Sequence, residues 1–100
     1  MTLQEANTQL EQLLTSTEIA ITNVQPLETK YYVKWYECLK LAGGSNMAKQ
    51  EAEAKTMMQL EPIYEQYHNA KLELKVLLNK KEILMEICKN LRTMYIANSA

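Results

Sequence analysis

Leu41-Ala42-Gly43-Gly44-Ser45-Asn46-Met47-Ala48 is the stretch that decides the fold. It holds the only two glycines of a 100-residue chain, side by side and near its middle. Upstream, Leu3, Ala6, Leu10, Leu13, Thr17, Ala20, Val24, Leu27 and Tyr31 step by three and four, and the stripe continues through Trp35 and Leu39 to Ala42. Downstream, Leu60, Ile63, Tyr67, Ala70, Leu74, Leu77, Leu84, Cys88, Leu91 and Tyr95 do the same, with Lys81 as the one break. That spacing lines one face of a helix and does not fit a strand. A loop of about four residues between two such helices makes an antiparallel hairpin. Gly43 is expected as a left-handed cap of the first helix, and Ser45 or Asn46 as the N-cap of the second. Thr2-Leu3-Gln4-Glu5 has the spacing of a capping box at the start.

The expected fold is therefore all-α, a single domain over 1–100. Its parts are a helix over 3–42 bent at Pro26, a turn at 43–46, and a helix over 47–97 bent at Pro62. Pro26 and Pro62 each stand 18 residues from Gly44. Folding back at that glycine makes facing residue numbers total about 88 and sets the two prolines side by side. A compact four-helix bundle, with a turn opening at Thr22-Asn23, is the alternative. Charge agrees with the hairpin. Residues 1–29 carry Glu5, Glu11, Glu18 and Glu28 with no Lys or Arg. Residues 71–100 carry Lys71, Lys75, Lys80, Lys81, Lys89 and Arg92 against Glu73, Glu82 and Glu86. The acidic arm would lie along the basic one, with Glu18 near Lys71. Two long helices bury a thin core, so a homo-oligomer is expected, a dimer first.

Several functions lack their parts. There is no Asp, one His and two Cys 50 residues apart, so no metal site is expected, and no glycine-rich loop exists to cradle phosphate. Cys38 and Cys88 read as reduced, buried small hydrophobes of a cytoplasmic protein. No apolar run approaches the roughly 18 residues that would span a bilayer. The opening Met-Thr-Leu-Gln-Glu lacks a charged-then-apolar leader pattern. His68 stands alone beside Tyr67, and Glu61 with Glu65 has no pocket or oxyanion donor implied nearby. No catalytic residue, cofactor or metal is expected, and the chain is read as a non-enzyme without a membrane partner.

Two surpluses remain. In Lys30-Tyr31-Tyr32-Val33-Lys34-Trp35-Tyr36, four aromatics crowd into six residues. Tyr31 and Trp35 share a face with Leu39, while Tyr32 and Tyr36 share the neighbouring one. The fold-back sets Ala48, Ala52 and Ala54 opposite, small residues able to accept large ones. As surface, the same cluster reads as a protein-binding patch, since Trp and Tyr dominate interface hot spots. Base stacking flanked by Lys30, Lys34 and Lys40 is the nucleic-acid reading, disfavoured by a pI near 5.8 and a single Arg. The second surplus is C-terminal. With facing numbers totalling 88, Cys88, Leu91, Met94, Tyr95 and Ile96 overhang the start of the chain unless the register slips. Ile87, Leu91, Met94 and Tyr95 are then expected to dock on another chain, either a second copy or a different protein.

From Tyr31 to Arg92 the chain resembles small helical proteins encoded in the early regions of tailed bacteriophages. The likeness lies in the aromatic first helix (Tyr32-Val33-Lys34-Trp35-Tyr36) and the Gly/Ser break. It extends through the Ala/Glu-rich start Ala48-Lys49-Gln50-Glu51-Ala52-Glu53-Ala54 to a long final helix with scattered tyrosines and Lys89-Asn90-Leu91-Arg92. The resemblance implies a protein of the host cytoplasm that acts by binding a host factor, a defence protein or the phage recombination machinery. It carries over no catalytic residues. The expected function is a protein-binding module, with a single-stranded nucleic-acid accessory and a purely structural homo-oligomer as alternatives.

Overall fold

Thr2 starts the first helix by the expected reciprocal contact. Its hydroxyl oxygen accepts the Glu5 backbone N–H at 3.1 Å and donates to Glu5 Oε1 at 3.1 Å. In the computed structural model, which describes residues 1–99, the fold is all-α, with helices α1 (Leu3–Leu41), α2 (Met47–Gln59) and α3 (Pro62–Ser99). Glu5 in the first turn of α1 and Lys40 in the last both suit the helix dipole. Pro26 lies inside α1 and removes one backbone donor, yet the helix continues through it and through Thr22-Asn23. No turn divides this arm.

The loop differs from expectation in which glycine matters. None of the described residues has a positive φ, so Gly43 is not a left-handed cap. The end of α1 is closed instead by Ala42 N–H on the Cys38 carbonyl (2.8 Å) and by the Gln50 side-chain amide on the Leu39 carbonyl (2.7 Å). Gly44 is required by crowding: a Cβ there would lie 2.8 Å from the Gln50 backbone nitrogen and 3.1 Å from the Lys49 carbonyl carbon. Asn46 then caps α2, accepting Lys49 N–H at 2.9 Å.

Pro62 does not bend a continuous helix over 47–97, as the sequence had suggested. The helix ends at Gln59 and restarts at Pro62. At the first position of α3 a missing N–H costs no helical bond, so proline fits there better than in an interior. Leu60 N–H reaches the Met57 carbonyl (3.2 Å), and Glu61 N–H reaches that of Met58 (3.0 Å), closing the break tightly.

The register also departs from the expected total of 88. Gln50 reaches Leu39, whereas Met58, eight residues on, reaches Cys38. Two turns of α2 are thus used while the contact moves one residue along α1. Beyond the break Tyr31 meets Tyr67. Leu10 lines one groove with Cys88, and Leu13 lines another with Leu84. Facing numbers in these pairs total about 97 to 98, so Pro26 and Pro62 are not level.

The chain packs as two units, one of Met1–Ile21 with the chain from Glu73 onward, the other Thr22–Leu72. In the first, α1 and α3 run antiparallel, and small residues bring them close. Ala6, Thr17, Ala20 and Cys88 are all buried. Thr17 is accommodated because its hydroxyl donates to the Leu13 carbonyl at 2.7 Å. Glu18 belongs to this unit, and Lys71, expected near it, to the other. In the second unit, Cys38, Ala54 and Met58 form a core, with Tyr31, Trp35, Leu39, Ile63 and Tyr64 packed against it. Both cysteines are free and buried.

Candidate functional site

The aromatic segment divides as helical geometry requires, at about 100° per residue. Tyr31 and Trp35 turn inward against the Cys38–Ala54–Met58 core. Tyr32, Val33 and Tyr36 face outward, 46%, 55% and 61% exposed. Of the three alanines expected opposite, Ala54 is buried in the core, while Ala48 and Ala52 are exposed. The changed register supplies other partners from α3. The Tyr31 ring lies 4.6 Å from Tyr67, 6.5 Å from Tyr64 and 5.6 Å from His68, and edge-on to Tyr32 at 5.5 Å. His68 in turn meets Tyr64 edge-on at 4.3 Å.

Tyr64, Tyr67 and His68 were not singled out as a group from the sequence. Their i, i+3, i+4 spacing was the available signal, since it sets three rings on one turn of a helix. Burial, then the neighbouring Tyr64, Tyr32 and Tyr67, pushes the Tyr31 phenol above its ordinary value. Tyr67 is also raised, by burial first and then by the Glu28 carboxylate. Lys71 Nζ sits 5.0 Å from the Tyr67 ring centre, within cation–π range. Tyr31, Trp35, Met58, Tyr64 and His68, with Lys55, surround a cleft of about 210 Å³.

Lys34, one of the three flanking lysines, is engaged. Its ammonium lies 3.5 Å from Glu37 and 3.6 Å from Glu61, and the Glu61 charge, followed by the hydrogen bond to Glu37, holds its pKa above the usual range. Glu61 is the residue just before α3, so this cation ties α1 to the break between α2 and α3.

The C-terminal stripe is not an overhang. The register slip of about ten residues brings α1 alongside it: Cys88 is buried, Ile87 and Leu91 are half-buried, and Tyr95 lines a shallow groove with Thr2, Leu3 and Gln4. Met94, Tyr95 and Ile96 remain largely exposed. The seam of α1 and α3 has two unlike flanks. One groove presents Glu82, Glu86, Lys89 and Arg92 around Leu10 and Met85. The other is apolar, with Met1, Leu13, Ile83, Leu84 and Ile87 beside Lys80.

Among the described residues no three of His, Cys or Glu gather where they could hold a metal ion. No helix there is long and apolar enough to cross a membrane. No protein-family model, curated protein or solved structure matches this chain.

Proposed function

We propose that this chain is a non-enzymatic protein-binding module, and that Tyr32, Val33 and Tyr36 form its partner-binding face. The observation that carries this reading is the division of the aromatic segment. Tyr31 and Trp35 anchor α1 to the core, and the same turns hold Tyr32 and Tyr36 outward on a helix that cannot rotate without unpacking them. A rigid helix presenting two tyrosines and a valine is a low-entropy contact surface of the kind found at interface hot spots. By its resemblance to early phage proteins, the partner is a host or defence protein that the chain modulates or inhibits in the host cytoplasm.

Base stacking by the same segment has less support. Trp35 and Tyr31 are turned inward, and Lys34 is occupied by Glu37 and Glu61, leaving two exposed rings beside Lys30 and Lys40. The test is a photo-crosslinking side chain placed at Tyr36 or, as a control, at Glu51, which is exposed on α2. A discrete protein adduct from position 36, missing from position 51 and abolished by Tyr32→Ala, is expected. Equal adducts from both positions defeat the proposal. Binding of a single-stranded oligonucleotide that weakens with salt moves the assignment to nucleic acid.

A further inference from the structure

The stripe that packs against α1 within the chain is Leu77, Lys81, Leu84, Cys88, Leu91 and Tyr95, a run alternating by four and three. One residue earlier along α3 runs a second stripe of identical spacing: Val76, Lys80, Ile83, Ile87, Asn90 and Met94. Two adjacent heptad stripes give a helix two neighbours, as in a four-helix bundle. From Leu77 to Leu91 the first stripe is buried or half-buried, and its last member, Tyr95, is 66% exposed. The second stripe is open along its length: Val76, Ile83 and Met94 are 44%, 63% and 59% exposed, Lys80 and Asn90 are exposed, and Ile87 is half-buried.

We infer that this second stripe is a homodimer interface, in which α3 of a second copy lies antiparallel across it about a two-fold axis between Ile83 and Ile87. The order of residues in the stripe selects both the occupant and its direction. Laid antiparallel on itself, the stripe matches at every level. Val76 meets Met94 of the second copy, Ile83 meets Ile87, and Lys80 meets Asn90, a cationic donor against an amide oxygen. Laid parallel, Lys80 meets Lys80 and Asn90 meets Asn90, which sets like charges together in the contact. A two-fold contact requires a surface complementary to itself, and this stripe has that property in one direction only. The apolar groove adds depth. Met1, ahead of α1, and Leu13 of α1 stand beside Ile83, Leu84 and Ile87, so the second copy's Ile83 and Ile87 enter a recess instead of resting on a bare helix.

This inference goes beyond the partner-binding reading and is independent of it. It concerns α3 in the unit built from the chain ends, whereas Tyr32 and Tyr36 lie in the other unit. The test is sedimentation equilibrium of the full chain over a concentration series, with circular dichroism confirming that each variant is folded. The wild type is expected to dimerise. Ile83→Lys, at an exposed position, is expected to weaken the dimer on the order of 100-fold, because the contact is lost twice by symmetry. Leu60→Lys, 84% exposed in the other unit, leaves it unchanged. Asn90→Glu decides the direction. Antiparallel, it faces Lys80 of the second copy and tightens the dimer by a few-fold to about tenfold. Parallel, it faces itself and loosens the dimer. A monomeric wild type at about 100 µM, a dimer indifferent to Ile83→Lys, or one loosened by Asn90→Glu overturns the inference.

Discussion

Met58 and Leu60 are two residues apart at the end of one helix and stand in opposite environments, 1% and 84% exposed. Met58→Ala therefore probes the register directly. With facing numbers totalling 88, Met58 would sit opposite Lys30 and lose little on truncation. In the observed packing it fills the space between Cys38 and Ala54, with its sulfur 3.9 Å from the Cys38 thiol. Cys38 and Ala54 are too small to reach into the gap, and the surrounding Tyr31, Trp35 and Tyr64 rings are too rigid to fill it, so truncation leaves a cavity. Truncation at such a site costs about 3 kcal/mol, within the usual range for large-to-small core changes. With a urea dependence of about 1.5 kcal/mol per molar, the unfolding midpoint falls by about 2 M. Met58→Leu keeps the volume and costs less than about 1.5 kcal/mol. Leu60→Ala changes stability by no more than about 0.5 kcal/mol. Urea unfolding followed by Trp35 fluorescence is the assay, since Trp35 packs on the same core. Equal midpoints for Met58→Ala and Leu60→Ala would refute both the core and the register.

Two further outcomes follow from the loop and from the tyrosines. Gly44→Ala forces a Cβ into backbone atoms of Lys49 and Gln50 and is expected to destabilise by roughly 1–3 kcal/mol. Gly43→Ala meets only the movable Glu53 carboxylate at 3.7 Å and should be nearly neutral, so equal urea midpoints would place the constraint elsewhere. At alkaline pH the raised Tyr31 and Tyr67 phenols make the folded chain hold its protons longer than the unfolded chain does. Their contribution is intact below the ordinary value of 10.0 and is lost as pH rises through the folded values, so stability falls there. Melting temperature measured from pH 8 to 11 should drop less steeply in Tyr67→Phe than in the wild type. An identical slope would show that Tyr67 ionises alike in both states.

The helical character of both arms, the capping box at Thr2, a cap at Ser45 or Asn46 and the shared face of Tyr31 and Trp35 were legible in the sequence. Each depends on residues within a turn or two of one another. The choice of core or partner surface for the Tyr31 and Trp35 face was not legible, and the structure turns both inward. Register was not legible. The fold-back at Gly44 supplies a starting alignment, but the oblique path of α2 and the restart at Pro62 shift every later pair by about ten residues. Nothing local in Met57-Met58-Gln59-Leu60-Glu61 specifies that shift, which comes from the fit of Met58 and Ala54 against Cys38. The misplaced alanines and the supposed overhang at 88–96 both descend from that one displacement. Gly44 is similar: its role lies in the approach of Gln50, which no φ preference announces.

The two free cysteines acquire a use from their placement. Cys38 is 2% exposed in the unit around Met58, and Cys88 is 3% exposed in the unit built from the chain ends. An alkylating reagent reaches either sulfur only when its own surroundings open, so each thiol times the breathing of one half of the molecule. The native chain thus carries two internal clocks, readable peptide by peptide without any added label, that tell whether the halves come apart together or in turn.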